Sequence, residues 1–160
     1  MNKKDFFEVT KPLLERLYRV AFNLLPDDLQ AEQLVIDSLN ACLIKEKKSL
    51  EFREIDLSDK KALAVDRKQI YKTLLRYMSQ IGIKRSVQLF DQMRLNRPVE
   101  YKAFFDIDPT IRLVLTLRYE QQFNVDEITD IMQLPRYEII EKLHNGRFLM
   151  LNKLSAGVDL

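Results

Sequence analysis

Asn124-Val125-Asp126-Glu127-Ile128-Thr129-Asp130-Ile131-Met132-Gln133-Leu134-Pro135-Arg136-Tyr137 is the stretch whose reading decides the fold. Asn124 offers an N-cap oxygen, and Glu127 stands three residues on. That is the spacing of a capping box, in which each side chain satisfies the other residue's free backbone N–H. A short helix through Met132 is therefore predicted. Gln133-Leu134 makes a turn, and Pro135, with its φ preset, opens a last helix to about Leu154. Short helix, turn, longer helix is the order of a helix-turn-helix, whose second helix can lie in the major groove of DNA. Shape alone admits an ordinary helical hairpin equally well.

Working outward, the neighbouring segments read as helices too. Asp108 is a candidate N-cap with Pro109 at the first helical position, followed by Ile111, Leu113, Val114, Leu115, Leu117 and Tyr119. Further upstream, residues 5–25 show Phe6, Leu13, Leu14, Leu17, Val20, Ala21 and Leu24 near helical spacing, until Pro26 interrupts. A second helix follows Asp27-Asp28, with Ala31, Leu34, Val35, Leu39 and Leu43 on one stripe, and ends in the charged run 45–48. Residues 49–65 read as a loop with a short turn. A third helix begins near Asp66, with Ile70, Leu74, Tyr77, Met78 and Ile81 as its stripe, and Gly82 is expected to weaken or bend it. Only 3 glycines and 5 prolines occur, which suits long helices and disfavours a turn-rich β fold. The expectation is an all-α chain of two small helical domains: residues 1–92, a linker over 93–106 centred on Asn96-Arg97-Pro98, and residues 107–160 carrying the helix-turn-helix.

Charge is unevenly spread. Residues 1–97 carry 19 Lys/Arg against 14 Asp/Glu, and residues 98–160 carry 7 against 10. Within 67–97 there are eight basic residues and one acid, Asp91. A basic block beside an acidic one suggests a polyanion partner. The basic residues Lys68, Lys72, Arg76, Lys84 and Arg85 are interleaved with Tyr71 and Tyr77 (basic groups plus aromatic rings suit single-stranded nucleic acid). The competing reading is a solvated basic face with tyrosines half in the core.

Other chemistry is thin. Cys42 is the single cysteine, so no internal disulfide can form, and a reducing, cytoplasmic setting is expected. It reads as a buried thiol with no positioned base. His144 is the single histidine and reads as a solvent-side residue of the last helix. Glu127/Asp130 and Glu138/Glu141 are i, i+3 pairs that read as solvated faces. There is no phosphate loop, dinucleotide motif or nucleophile elbow. No enzyme activity, metal site or cofactor is expected, and no apolar run approaches the ~20 residues of a membrane span.

Residues 108–119, then Asp126-Glu127-Ile128-Thr129-Asp130-Ile131-Met132 and Leu143-His144-Asn145-Gly146-Arg147, resemble the C-terminal domain of extracytoplasmic-function sigma factors. Leu17–Leu25 and Ala31–Leu39 are similar to that family's polymerase-binding helices, and Tyr71–Arg85, more weakly, to its promoter-melting segment. The resemblance covers most of the chain in the family's order. It implies core RNA polymerase as a partner through Glu32, Gln33, Ile36 and Asp37. It implies promoter DNA through Lys68, Lys72, Arg76, Lys84 and Arg85, and through Arg136, Lys142 and Arg147 of the last helix. An anti-sigma partner is implied by family analogy. The alternative is a sigma-like interaction module that binds polymerase or a regulator without reading DNA sequence.

Departures from the family fall on functional positions. The groove-facing positions of the last helix are Glu138, Ile140, Glu141, Lys142 and Asn145, where relatives carry small polar and basic residues. Carboxylates there would oppose phosphates, which dominate DNA affinity. Pro135 stands where relatives have a capping hydroxyl. Gln33 replaces a favoured acid, Ile36 a glutamine, and no tryptophan accompanies Tyr71. Weak or unusual DNA binding by the C-terminal module follows.

Overall fold

A computed structural model describes residues 1–51, 54–95 and 102–155. It is all-α, with no strand among the described residues. The elements are α1 (Lys3–Thr10), α2 (Leu14–Leu24), α3 (Asp28–Lys45), α4 (Lys47–Glu51), α5 (Lys60–Gln88), α6 (Phe90–Leu95), α7 (Lys102–Phe105), α8 (Pro109–Leu115), α9 (Val125–Met132) and α10 (Arg136–Ser155). None of these helices is long and apolar enough to cross a membrane.

Local chemistry explains most of the boundaries. Asp27 and Asp108 accept from backbone N–H groups two or three residues on, and start α3 and α8 as expected. The capping box at Asn124 and Glu127 is present, with bonds of 2.9 and 3.1 Å. Gln133 takes left-handed φ of 56°, which ends α9 and makes the turn before Pro135.

Three expectations needed correction. The helix expected over 5–25 is broken at Pro12, where a 3-10 turn over Lys11–Leu13 separates α1 from α2, and Leu14 faces solvent. Part of the 49–65 loop is helical: α4 reaches Glu51, and α5 begins at Lys60 because Asp59 accepts from the N–H groups of Lys61 and Ala62. Finally, α5 runs through Gly82 without a break, over 29 residues or about 43 Å. Gly82 is where α5 closes on α2 and α3. A Cβ there would stand 2.7 Å from Leu24 Cδ1 and 2.9 Å from Leu34 Cδ2, so the glycine serves close packing.

The core is shared by both halves of the chain. Leu17, Leu24, Leu34, Leu74 and Met78 belong to one buried cluster with Leu113, Leu117, Ile128 and Ile139. The centre of the expected linker, residues 96–101, lies outside the described residues, while α6 and α7 flank it. Arg112 of α8 joins the halves. Its buried guanidinium donates to the carbonyls of Asn23, Leu24, Phe105 and Ile107 at 2.7–3.0 Å and to Ser86 Oγ at 3.2 Å. Two of those carbonyls are at the C-terminus of α2, where helix carbonyls lack intrahelical partners.

Candidate functional site

Two surfaces carry the residues singled out from the sequence. One is the side of α5 that faces α9. Lys68, Lys72 and Arg76 recur every four residues and so share one face of α5. Glu127 and Asp130, three apart, share the facing side of α9 for the same reason. The two rows meet. Lys68 Nζ lies 3.0 Å and Lys72 Nζ 3.2 Å from Glu127 Oε1, and Arg76 Nη2 lies 3.6 Å from Asp130 Oδ1. Burial alone would raise the pKa of Glu127. The Asn124 backbone N–H and the two ammoniums outweigh it and hold the carboxyl at about 2. Glu127 is therefore held in a helix–helix seam, which corrects its reading as part of a solvated face, whereas Asp130 remains exposed as expected and meets Arg76 at the surface.

The tyrosines of α5 are equally committed. The Tyr71 ring is buried between the Arg16 guanidinium, 4.4 Å from its centroid, and the Phe123 ring at 6.0 Å. Its O–H donates to Gln121 Oε1 at 2.6 Å, and burial pushes its pKa up to about 12. Tyr77 is buried too, donates to Glu46 Oε1 at 2.6 Å, and has a pKa pushed up to about 12 by burial and by that bond. Neither ring offers a face to a base, which corrects the stacking expectation.

The remaining DNA-contact candidates are scattered. Arg85 is bonded to Asp37 at 2.7 Å, so a residue expected on DNA and one expected on polymerase neutralise each other. Lys84 is exposed on α5. On α10, Arg136 pairs with Asp126, Arg147 bonds the Tyr119 hydroxyl, and Lys142 is half-buried. Glu138 is half-buried, whereas Ile140, Glu141, His144 and Asn145 are exposed. Of the eight candidates, Lys68, Lys72, Arg76, Arg85 and Arg136 are paired with carboxylates and Arg147 with a hydroxyl.

The second surface is the outer side of α3. Glu32, Gln33 and Ile36 are exposed, and Gln33 Nε2 donates to Asp37 Oδ1 at 2.9 Å. Leu29, 72% exposed, and Ile44, 75% exposed, extend this face along the helix. Cys42 lies on the opposite, buried side of α3. Here the four polymerase-contact candidates are together: three open to solvent, and Asp37 at the edge.

Some organising residues were not singled out from the sequence. A π-turn over Thr116–Glu120 carries α8 toward α9, and with it Gln121 swings under α2 and α5. Gln121 Oε1 accepts from both Tyr71 and Arg16. Asn23 Nδ2 donates to Thr116 Oγ1 and Glu120 Oε2 at 3.0 and 2.9 Å. Arg112 had a signal that could have been used: a charge amid Ile111, Leu113, Val114 and Leu115 must be paired if that helix is buried. Gln121 and Asn23 had none.

No protein-family model and no curated protein matches the chain.

Proposed function

We propose that this chain is a sigma-like transcription initiation protein that docks on core RNA polymerase through the outer face of α3 and directs it to promoter DNA. The observation that carries this reading is the exposure of Glu32, Gln33 and Ile36 on one side of α3, flanked by Leu29 and Ile44. Large apolar side chains on an open helix face, rimmed by polar groups, suit a protein partner. Promoter contact by α5 would compete with α9 for its cations, since Lys72 is covered against Glu127 while Lys68 and Arg76 pair with Glu127 and Asp130 nearer the surface.

A second reading has its own support. A sigma-like interaction module that binds polymerase or a regulator without reading DNA would need neither a free α5 nor a basic α10. The pairing of α5 with α9, and the exposed Glu141 and Ile140 on α10, favour it.

One experiment separates the two. Purified core RNA polymerase is captured on the immobilised chain, and the complex is then offered a pool of genomic DNA fragments at stated salt. Capture with enrichment of one sequence supports the initiation reading. Capture without enrichment supports the module. No capture removes the initiation reading and leaves the module only with a regulator as its partner, and capture unchanged by Ile36→Glu removes the α3 face as the docking surface.

A further inference from the structure

We propose that the exposed side of α10 is a self-association surface, paired antiparallel with α10 of a second copy about a twofold axis at His144. This stands apart from the polymerase reading and uses a different helix.

α10 is apolar on two sides. Its core side is Ile139, Leu143 and Gly146, all buried. About 130° round the helix lies a second row: Tyr137, Ile140, His144, Phe148 and Leu151, within an arc of about 80° at 3.6 residues per turn. These are not partly covered core residues. Tyr137 is 68% exposed, Ile140 47%, Phe148 60% and Leu151 62%. Over about 21 Å of helix, four large apolar side chains face water in a line.

The row fits a copy of itself. Counted from His144, its members stand at −7, −4, 0, +4 and +7. A twofold axis through His144, perpendicular to the helix, sets Tyr137 against Leu151 of the second copy and Ile140 against Phe148. Tyr137 and Phe148 then each meet an aliphatic side chain, while the exposed His144 meets its own copy at the axis. An isologous contact of this kind closes as a dimer and leaves no open end.

One flanking edge agrees, while on the other Arg136 is paired with Asp126 and Arg147 with the Tyr119 hydroxyl. Along one edge of the row, Glu138 and Glu141 occupy the first half, and Asn145 and Asn152 the second. The twofold brings this edge against itself with the halves exchanged, so carboxylates meet amide donors and not each other. The same carboxylates oppose a phosphate backbone on this face. Beside Leu151 lies an apolar groove of about 500 Å³ lined by Phe104, Leu115, Tyr119 and Met150.

Sedimentation of the full chain over a wide concentration series tests this. A reversible monomer–dimer equilibrium is expected. Ile140→Glu and Phe148→Glu, both at exposed positions, should each weaken it about tenfold or more while far-UV circular dichroism stays unchanged. Leu29→Glu on α3 should leave it intact. Register is read by cross-linking with a short bis-maleimide, Cys42 being buried. Mixed Ile140→Cys and Phe148→Cys chains should cross-link with each other several-fold more than either does with itself, because two Ile140 positions are about 12 Å apart along the seam. A chain that stays monomeric at every concentration overturns the proposal. So does a dimer dissolved by Leu29→Glu but not by Ile140→Glu, or like-with-like cross-links in excess. A monomer whose capture of core polymerase is lost with Ile140→Glu assigns the face to polymerase instead.

Discussion

The inner side of α5 and the outer side of α3 were both expected to bind partners, and they end in opposite states. α5 carries eight Lys and Arg, yet three of these cations are paired with acids of α9 and both of its tyrosines are buried. α3 has modest charge and nothing conspicuous in composition, yet Leu29, Ile36 and Ile44 remain on the surface. The lesson is that charge surplus in one segment is a poor guide to free charge. A nearby acidic segment can absorb it, and residues 98–160, with 10 acids to 7 bases, do so here. An apolar surplus on a helix whose other side already fills the core cannot be absorbed so easily.

The comparison can be broken or sharpened by substitution. The largest effect is expected where the halves are joined. Arg112→Met removes the guanidinium donor from the carbonyls of Asn23, Phe105 and Ile107, leaving Leu24 O only the Ser86 hydroxyl, and should cost about 3–5 kcal/mol. Urea titration followed by circular dichroism measures it. A loss under about 1 kcal/mol would mean that the halves do not depend on this guanidinium.

Gly82→Ala comes next. Its Cβ would meet fully buried Leu24 and Leu34 under 3.0 Å, where overpacking costs about 1–3 kcal/mol. Relief of the glycine's helix penalty returns roughly 1 kcal/mol. A net loss of about 1 kcal/mol is expected. A gain in melting temperature would show that α2 and α3 can yield to α5.

The seam between α5 and α9 should be smaller in stability and larger in consequence. Glu127→Gln with Asp130→Asn keeps the capping-box geometry and removes both charges facing α5. Less than about 1 kcal/mol should be lost, while affinity for single-stranded oligonucleotide rises and its salt dependence steepens. Unchanged affinity would show that α5 has no latent nucleic-acid face. Acid probes the same seam without mutation. The Glu127 pKa is lowered in the folded chain from about 4.5 to about 2, so its contribution is fully present above pH 4.5 and is lost as pH falls toward 2. Stability measured over that interval should fall less in the double variant than in the parent.

Ile36→Glu is the smallest in stability. At an exposed position it should stay within about 0.5 kcal/mol of the parent while abolishing polymerase capture. If capture persists, the outer face of α3 is not the docking surface.

Much of the fold was legible residue by residue. Asp27, Asp108, Asn124 with Glu127, and Pro109 start helices through bonds or torsions spanning at most three residues, so their neighbours suffice to read them. The break at Pro12 was legible too, since a ring that removes an N–H interrupts a helix wherever it falls in the interior. Asp59 was a cap hidden in a stretch that reads as loop. Of the candidate sites, the α3 set is brought together because helical spacing alone puts Glu32, Gln33 and Ile36 on one side.

What the sequence by itself determined, then, is an all-α chain, the starts of α3, α8, α9 and α10, and which residues share a helix face. Those follow from bonds and periodicities local to the chain. Tertiary structure alone decided which faces meet. Glu127 finds Lys68 and Lys72, Gln121 finds Tyr71 and Arg16, and Arg112 finds the end of α2 across 50 or more residues of sequence. Coulomb attraction and hydrogen bonding act over a few ångströms in space and carry no memory of separation along the chain. Whether a charge is free is therefore settled only when the helices have packed.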